Sequence, residues 1–512
     1  MKGLVEGFLW KSSQPIHTPR QSPFVFGKQM TISILPLVDR FRQIFSAPTF
    51  ENFRYLLLSW LMNPHHGWLS NCLRAFLHMP DLYPTQRGKP KHFSAFYRFF
   101  TRAKWDLDSL GELLARALEH RLDGSLNVIV DDTLCRRSGP MILGAGIHHD
   151  PLRTTRTDGK SRRSFSFGLQ FVILAVWVPV SFVHARGIAV PVLFRLYRSK
   201  KRCPAEQYRT RTELAAELLQ IACRWWPDRP MVISVDHEYA CKTVLSVLDD
   251  NQELVGPMRL DAALYQPYQP EYAGFGRPPI WGERLDSPQQ LADDESIKWE
   301  ECQLVMYGQR VTLLVKTQQA RWKSAGKDRV LTVIVTRDPT GTYDDACLFR
   351  TRADATAQQV LTPFCRRWTL EVTIRDGKQL LHLEQIQNGF VHRDKPTVTH
   401  RKKRPGPQAP TDAQPVASER TVPFFMLGFG FVVDWYLAHG DPERELRWAR
   451  FLAPWWRHKT SISFNDMLQA FRRQMEQEHL WTNPPNQGFD EKYLKQMPFQ
   501  WPGQENAEAM AA

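Results

Sequence analysis

Apolar residues recur at three- and four-residue steps along residues 38–122, which is the spacing of amphipathic helices. Segments such as TFENFRYLLLSWLM and LDSLGELLARALEHRL show this spacing, with arginine and lysine between the apolar positions. We predict a helical domain here, suited to binding DNA, although a helical scaffold with solvated charges fits equally well. Residues 1–37 are rich in Pro, Ser and Thr and are expected to be loosely ordered.

From residue 123 the pattern changes to short apolar runs that are typical of buried strands. The runs LNVIVDD, SFSFGLQFVILAVWV, GIAVPVLFRLY, MVISVD and ELVGPMRL are rich in β-branched and aromatic residues. A long helical segment separates the third run from the fourth, and a shorter one separates the fourth from the fifth. This order predicts an α/β fold with a mixed sheet over residues 123–261.

The rest of the chain divides into four segments. Residues 262–350 are turn-rich with strand-like runs, which predicts a β-rich insertion. We predict that residues 351–390 contain a helix that bears Glu371 and belongs to the same core as the sheet. Residues 391–420 are basic and Pro-rich and predict a flexible loop, followed by a helical region with a polar tail over residues 421–512.

The net charge changes the picture. The chain of 512 residues has 67 Lys and Arg against 53 Asp and Glu, a formal charge of +14. Such an excess favours a polyanionic partner, nucleic acid or an anionic membrane, over a merely basic soluble protein. The longest apolar stretches, 167–183 and 423–433, are interrupted or shorter than the ~20 residues of a spanning helix, so no membrane partner is expected.

Eight cysteines are scattered along the chain, without a C-x-x-C pair. This distribution argues against a zinc site or a disulfide framework and for a reducing compartment. The N-terminus carries Glu6 in its short apolar part and makes a poor signal peptide. We therefore expect a cytoplasmic protein, associated with the nucleoid when it is bound to DNA.

Acidic residues follow two of the predicted strands. NVIVDDT places Asp131 and Asp132 after one apolar run, and VISVDHEYA places Asp236 after another. A carboxylate at the end of a strand lies at the rim of a sheet, where a ligand can reach it. A single such aspartate is more often a turn former, but two of them favour a functional site.

A third acid belongs to a predicted helix. Phe364, Arg367, Glu371 and Lys378 are three, four and seven residues apart, so they share one helix face. An Arg367–Glu371 surface pair is the alternative interpretation. Two aspartates and a glutamate from separate elements match the oxygen ligands that paired Mg²⁺ or Mn²⁺ ions take. Their mutual repulsion without a cation supports the same interpretation.

These motifs resemble those of bacterial insertion-sequence DDE transposases of the family-4 type. The pattern F-x2-R-x3-E-x6-K is similar to their Y-x2-R-x3-E-x6-K signature, with Phe364 at the tyrosine position. VDDT and VDHEYA resemble their first and second aspartate motifs, and MRLDAALY and SISFNDMLQAFRRQ are also similar to that group. The resemblance covers roughly residues 40–480.

The resemblance implies a ribonuclease-H-like mixed-sheet catalytic core, interrupted by a β-rich insertion and flanked by helical regions. It implies that Asp131, Asp236 and Glu371 are catalytic and bind two Mg²⁺ or Mn²⁺ ions, with Asp132 as the rival for the first position. Arg367 and Lys378 would hold phosphates near the cut. Phe364 could still stack on DNA, but it lacks the phenolic hydroxyl of tyrosine.

The implied partner is double-stranded DNA, at transposon ends and target, bound by a homodimer or larger assembly. A basic loop after the first aspartates is expected to lie along this DNA, with a solvated loop as the alternative; its cations are Arg153, Arg156, Lys160, Arg162 and Arg163. Two other functions remain open. One is a transposase-derived DNA-binding protein without catalysis, and the other is a two-metal phosphohydrolase for small esters.

Overall fold

The structure is a computed structural model of the 512-residue chain. It describes residues 34–63, 67–75, 83–122, 124–138, 142–150, 153, 155–157, 160–162, 164–267, 280–326, 328–341, 343–386 and 415–477. The predicted loosely ordered N-terminus up to residue 33, most of the predicted 391–420 loop and the polar tail lie outside these residues.

The N-terminal region is helical, as its hydrophobic spacing predicts. Its elements are α1 (Ile34–Asp39), α2 (Ala47–Met62), α3 (Leu69–Ala75), β1 (Thr85–Gln86), β2 (Lys89–Pro90), α4 (Ser94–Thr101) and α5 (Leu107–Leu118). Aromatic rings join the helices, such as the stacked pair Phe45 and Phe53, whose centroids are 4.6 Å apart. Helix α5 begins where the Asp106 carboxylate accepts the Ser109 backbone N–H at 2.7 Å, a standard N-cap.

The central sheet begins after these helices. Its strands are β3 (Leu126–Arg136), β4 (Gly146–His149), β7 (Phe165–Pro179), β8 (Gly187–Tyr197), β9 (Met231–Val235) and β10 (Gln252–Met258). A small hairpin of β5 (Thr155–Thr157) and β6 (Lys160–Arg162) precedes β7. The order β8-β7-β3-β9-β10, antiparallel over the first three strands and parallel over the last three, is that of a ribonuclease-H-like fold.

Two helices lead into the parallel strands β9 and β10. Helix α6 (Arg211–Trp225) leads from β8 to β9, and α7 (Lys242–Leu245) leads from β9 to β10. Helix α6 starts with a capping box, in which Thr210 and Glu213 each bond the other's backbone N–H. The predicted series of three strands, helix, strand, helix and strand is confirmed.

The β-rich insertion extends the same sheet. It contains β11 (Leu264–Tyr265), α8 (Pro288–Asp293), β12 (Glu300–Met306), β13 (Gln309–Trp322), β14 (Leu331–Arg337) and β15 (Ala346–Arg350). Strand β15 pairs antiparallel with β10, and β14 and β13 follow outward. The inserted strands thus form one continuous sheet with the ribonuclease-H-like strands.

Four helices complete the described chain: α9 (Ala357–Leu380), α10 (Val416–His439), α11 (Pro442–Leu452) and α12 (Phe464–Gln477). Helix α9 packs across β3, β8 and β9. Helix α10 begins five residues before the predicted boundary at 421. Among the described residues it is the one helix long and apolar enough to cross a membrane. However, 89% of its most apolar stretch of 18 residues is buried inside the protein, as in a core helix.

Candidate active site

The two neighbouring aspartates lie in the middle of β3, not at its end as the apolar pattern predicts. Asp131 is opposite Ile173 and Asp132 is opposite Val172 of β7, and the strand continues to Arg136. Pairing with β7 continues along these positions and keeps the backbone extended beyond the apolar run. Because successive side chains of a strand point to opposite faces, the two carboxylates lie on different sides of the sheet.

Asp131 lies on the face that α9 covers. Its Oδ2 accepts a hydrogen bond from Arg367 Nη1 at 2.6 Å, and Arg367 Nη2 is 3.0 Å from Oε1 of Glu371. Asp236 directly follows β9, whose Val235 is in register with Val130, so it lies beside Asp131. Asp131 of β3 and Glu371 of α9 therefore contact one guanidinium, and the charge of Asp236 at the end of β9 also acts on it.

The electrostatics of this group reflect its burial. Burial raises the pKa of Asp131 to about 7; Arg367 opposes this rise, while Asp132 and Asp236 add to it. Burial lowers the pKa of Arg367, but the charges of Asp131, Asp236 and Glu371 outweigh it and raise that pKa overall. The ion-pair distance of 2.6 Å favours an ionised Asp131. Further positive charge here would stabilise the same ionised form.

Asp132 has different partners on the opposite face. Its Oδ2 accepts hydrogen bonds from Arg211 at the start of α6, at 2.8 Å, and from the Tyr239 hydroxyl at 3.1 Å. Arg211 also forms an ion pair with Glu238 at 2.7 Å. Asp132 thus ties the start of α6 to the loop that carries Asp236. Geometry makes Asp131, and not Asp132, the neighbour of Glu371.

Lys378 and Phe364, the other two residues predicted to share this helix face, also contact protein groups. The Lys378 ammonium donates to the Leu134 carbonyl at 2.8 Å and is 3.5 Å from Glu384. Phe364 is partly buried against the apolar cluster beneath the N-terminal half of α9. The Arg367 guanidinium lies 5.7 Å from its ring centroid. Phe364 thus supports Arg367 from one side, a contact that needs an aromatic ring but no hydroxyl.

The basic loop is described only in part. Arg153 is exposed, with its Nε 4.0 Å from Oδ2 of Asp150. Arg156 belongs to β5, and Lys160 and Arg162 belong to β6, so three of the predicted cations lie on one hairpin. Arg163 lies outside the described residues.

The donor chemistry of the three acids suits a hard divalent ion, because all their ligand atoms are carboxylate oxygens. Among the residues that the structure describes, however, no three acidic, His or Cys side chains are close enough together to share one ion. Arg367 lies between Asp131 and Glu371 and supplies the positive charge that the gathered acids require. The predicted paired-ion arrangement therefore differs from this one, in which a guanidinium joins two of the acids.

A cavity of about 600 Å³ opens beside the same helix. Its wall combines rings with cations, namely Trp177, Tyr307, Trp368, Arg186, Arg310 and Arg366. The rings of Tyr307 and Trp368 meet edge to face with centroids 5.0 Å apart, and Arg366 lies 3.9 Å from the Trp177 ring centroid. The charges of Glu371 and Arg367 both act on the Tyr307 hydroxyl, so the cavity adjoins the acids.

Sequence reasoning missed several residues that shape this site. Arg211 donates to Asp132, which is 79 positions away in the sequence. Glu384 accepts a hydrogen bond from the backbone N–H of Arg136, which is 248 positions away. No local pattern relates residues so far apart. Tyr239 gave a usable signal, because it lies inside the VDHEYA motif three residues after Asp236.

Comparison with known proteins relates part of the chain to a described family. Residues 78–329 match the family model described as DDE superfamily endonuclease. The matched region is a DDE endonuclease-like segment, and it contains Asp131 and Asp236 but ends before α9 and Glu371. No curated protein matches the chain in sequence.

One solved structure, a piggyBac transposase synaptic complex with hairpin DNA determined by cryo-EM, is also similar. It is 9% identical, covers 92% of this chain and 86% of its own, and has a TM-score of 0.37. A score this low does not support a shared function, so the fold assignment depends on strand order and the family match.

Proposed function

We propose that this protein is a transposase-type nuclease of an insertion sequence, which cuts DNA at the element's ends and joins them to a target. One observation carries the proposal: Asp131, Asp236 and Glu371 come from three elements of a ribonuclease-H-like fold, and the charges of all three act on Arg367. The DDE endonuclease match over two of these acids supports it. The net charge of +14 suits a DNA substrate.

The acids would hold Mg²⁺ or Mn²⁺ when Arg367 releases Asp131. An ion held by these acids would polarise the phosphodiester and would favour ionisation of the attacking water or 3′-hydroxyl. Arg367, freed from Asp131, can reach the phosphate on the same face, and its planar guanidinium suits two phosphate oxygens. Asp132 keeps Arg211 and the Tyr239 loop in place, which positions Asp236 next to Asp131.

A second candidate, a DNA-binding protein without catalysis, is favoured by one observation. Arg367 already joins Asp131 to Glu371, and such a pair could serve structure alone. Both candidates bind DNA, but only the nuclease breaks DNA strands, so a cleavage assay distinguishes them.

The assay uses the full chain, Mn²⁺ or Mg²⁺, and a supercoiled plasmid carrying the DNA that flanks its gene. We expect nicks at both flanks and joined products, abolished by Asp131→Asn, Asp236→Asn or Glu371→Gln. Asp228→Asn, in an exposed turn after α6, is the matched control and should cleave normally. DNA binding without any nicking would overturn the nuclease proposal and favour the second candidate.

A further inference from the structure

Large apolar side chains are exposed together at the end of α11 and in the turn that follows. Trp455 is 77% exposed, Phe451 73% and Leu452 65%, and Trp456 and Trp448 are 47% and 40% exposed. Folded proteins seldom leave such a group in water unless it binds something. We call these five side chains the α11 aromatic surface.

This surface is built on an ordered turn. The Arg450 guanidinium donates to the Lys459 carbonyl at 2.6 Å, and Lys459 N–H donates to the Trp456 carbonyl at 2.8 Å. Lys459 also forms an ion pair with Asp466 at 2.5 Å. The chain then reaches Ile462, whose N–H donates to the Phe182 carbonyl at 3.0 Å, beside the turn that contributes Arg186 to the cavity at α9. The backbone that carries the rings is thus held in place before any ligand binds.

The chain segment that carries the surface contains cations but no acids. Between Glu445 and Asp466 the chain contains no acidic residue, and its cations are Arg447, Arg450, Arg457 and Lys459. Arg447 and Arg457 are exposed beside the rings. A ligand that covers the rings must also be compatible with these positive charges, which favours an anion.

We infer that the α11 aromatic surface binds single-stranded DNA. Unpaired bases offer flat faces that stack on exposed aromatic rings, while their phosphates pair with neighbouring arginines. A second copy of the chain would bring the same cations face to face across a symmetric contact, which is unfavourable. An anionic membrane is a poorer fit, because α11 carries Glu443 and Glu445 in its first turn, whereas membrane-surface helices are rich in Lys and Arg on their polar face.

This inference goes beyond the proposed cleavage, because binding needs no divalent ion and none of the three acids. The test measures fluorescence anisotropy of a labelled 20-nucleotide single strand, and of the same sequence as a duplex, with the full chain in EDTA. The combined change Phe451→Ser with Trp455→Ser should weaken single-strand binding at least tenfold and duplex binding less than threefold. Tyr343→Ser, which removes a 54% exposed ring elsewhere, should leave both unchanged.

The cations are tested by salt dependence. Arg447→Gln with Arg457→Gln should make the logarithmic salt dependence of single-strand binding shallower by about 1.4, or 0.7 for each lost phosphate contact. The matched pair, Arg259→Gln with Lys298→Gln, removes one exposed cation just after β10 and one in the insertion, and should change the slope little. Thermal melting of every variant checks that the fold is kept.

Three outcomes would overturn the inference. Unchanged single-strand affinity in the aromatic variant excludes stacking at this surface. A shift from dimer to monomer in that variant by light scattering, with DNA binding intact, would assign the surface to a second copy. Loss of binding to phosphatidylserine vesicles, again with DNA binding intact, would assign it to a membrane. Since plasmid nicking is scored separately, failure here leaves the proposed nuclease activity intact.

Discussion

The two faces of β3 carry neighbouring aspartates in different settings. Asp131 faces α9, where its side chain is 13% exposed and Arg367 links it to Glu371. Asp132 faces α6, where its side chain is 20% exposed and is bonded by Arg211 and Tyr239. Asp131 shares its arginine with Glu371 of the long helix, whereas Asp132 shares Arg211 with Glu238 and joins α6 to the loop after β9. Adjacent identical residues thus acquire different expected roles from the helices that cover them.

The largest difference is expected in strand cleavage. Asp131→Asn should lower the nicking rate about 1,000-fold or more, because it removes a carboxylate from the reacting face. Asp132→Asn should lower it only about 10-fold, the usual size of an effect on a supporting contact. Rates of plasmid nicking at saturating Mn²⁺ measure both. Equal losses would show that the two faces share one function.

A second difference is expected in stability when no divalent ion is present. Arg367→Gln should lower the free energy of unfolding by about 3–5 kcal/mol, because it leaves the buried Asp131 without its cation. Arg211→Gln should cost about 1 kcal/mol, since Arg211 is 35% exposed and water compensates its loss. Urea unfolding in EDTA measures both changes.

Mn²⁺ provides the control for this pair of variants. The ion should raise the melting temperature of the Arg367→Gln protein more than that of the Arg211→Gln protein. Three carboxylates act on Arg367, whereas only two, those of Asp132 and Glu238, pair with Arg211. Equal stabilisation of the two variants would contradict a cation site on the α9 face.

An effect smaller than that of losing Arg367 is expected in the pH dependence of stability on the α6 face. His148 is buried near Arg211, and burial, reinforced by that charge, lowers its pKa to about 4. The unfolded chain takes up this proton near pH 6.5, so His148 makes stability fall as pH decreases from about 6.5 to 4. His148→Gln should remove a loss of at most about 3 kcal/mol over that window.

The α9 face has the opposite pH dependence in metal-free protein. The folded pKa of Asp131 is about 7, above the unfolded value of about 3.9. Its contribution to stability is therefore complete below pH 4 and is lost as pH rises towards 7. Urea unfolding of the His148→Gln and Asp131→Asn proteins between pH 4 and 7 should show slopes changed in opposite directions. Changes of the same sign would contradict the separation of the faces.

The sequence alone predicted many of the strands and helices that position the acids. The apolar runs of β8 and β9, and Asp236 directly after β9, appear where the pattern places them, because a strand paired on both sides needs buried side chains. The four-residue spacing of Arg367 and Glu371 likewise predicted that they share one face of a helix, because this relation depends only on helix geometry.

The rest depends on long-range packing. The period of a strand shows that Asp131 and Asp132 face opposite ways, but not which face α9 covers. β3 also continues past the end of its apolar run, because the partner strand β7 extends along it. The Arg211–Asp132 contact and the exposure of Trp455 follow from tertiary structure, and no residue pattern near them indicates either.

Iron-directed cleavage of the protein itself tests the central claim most directly. Fe²⁺ in place of Mg²⁺, with ascorbate and peroxide, breaks the backbone near the bound ion, and mass spectrometry locates the breaks. We predict breaks within a few residues of Asp131, Asp236 and Glu371, lost in Asp131→Asn and kept in Asp132→Asn. Breaks elsewhere, or a pattern that depends on Asp132 and not on Asp131, would contradict a cation site on the α9 face.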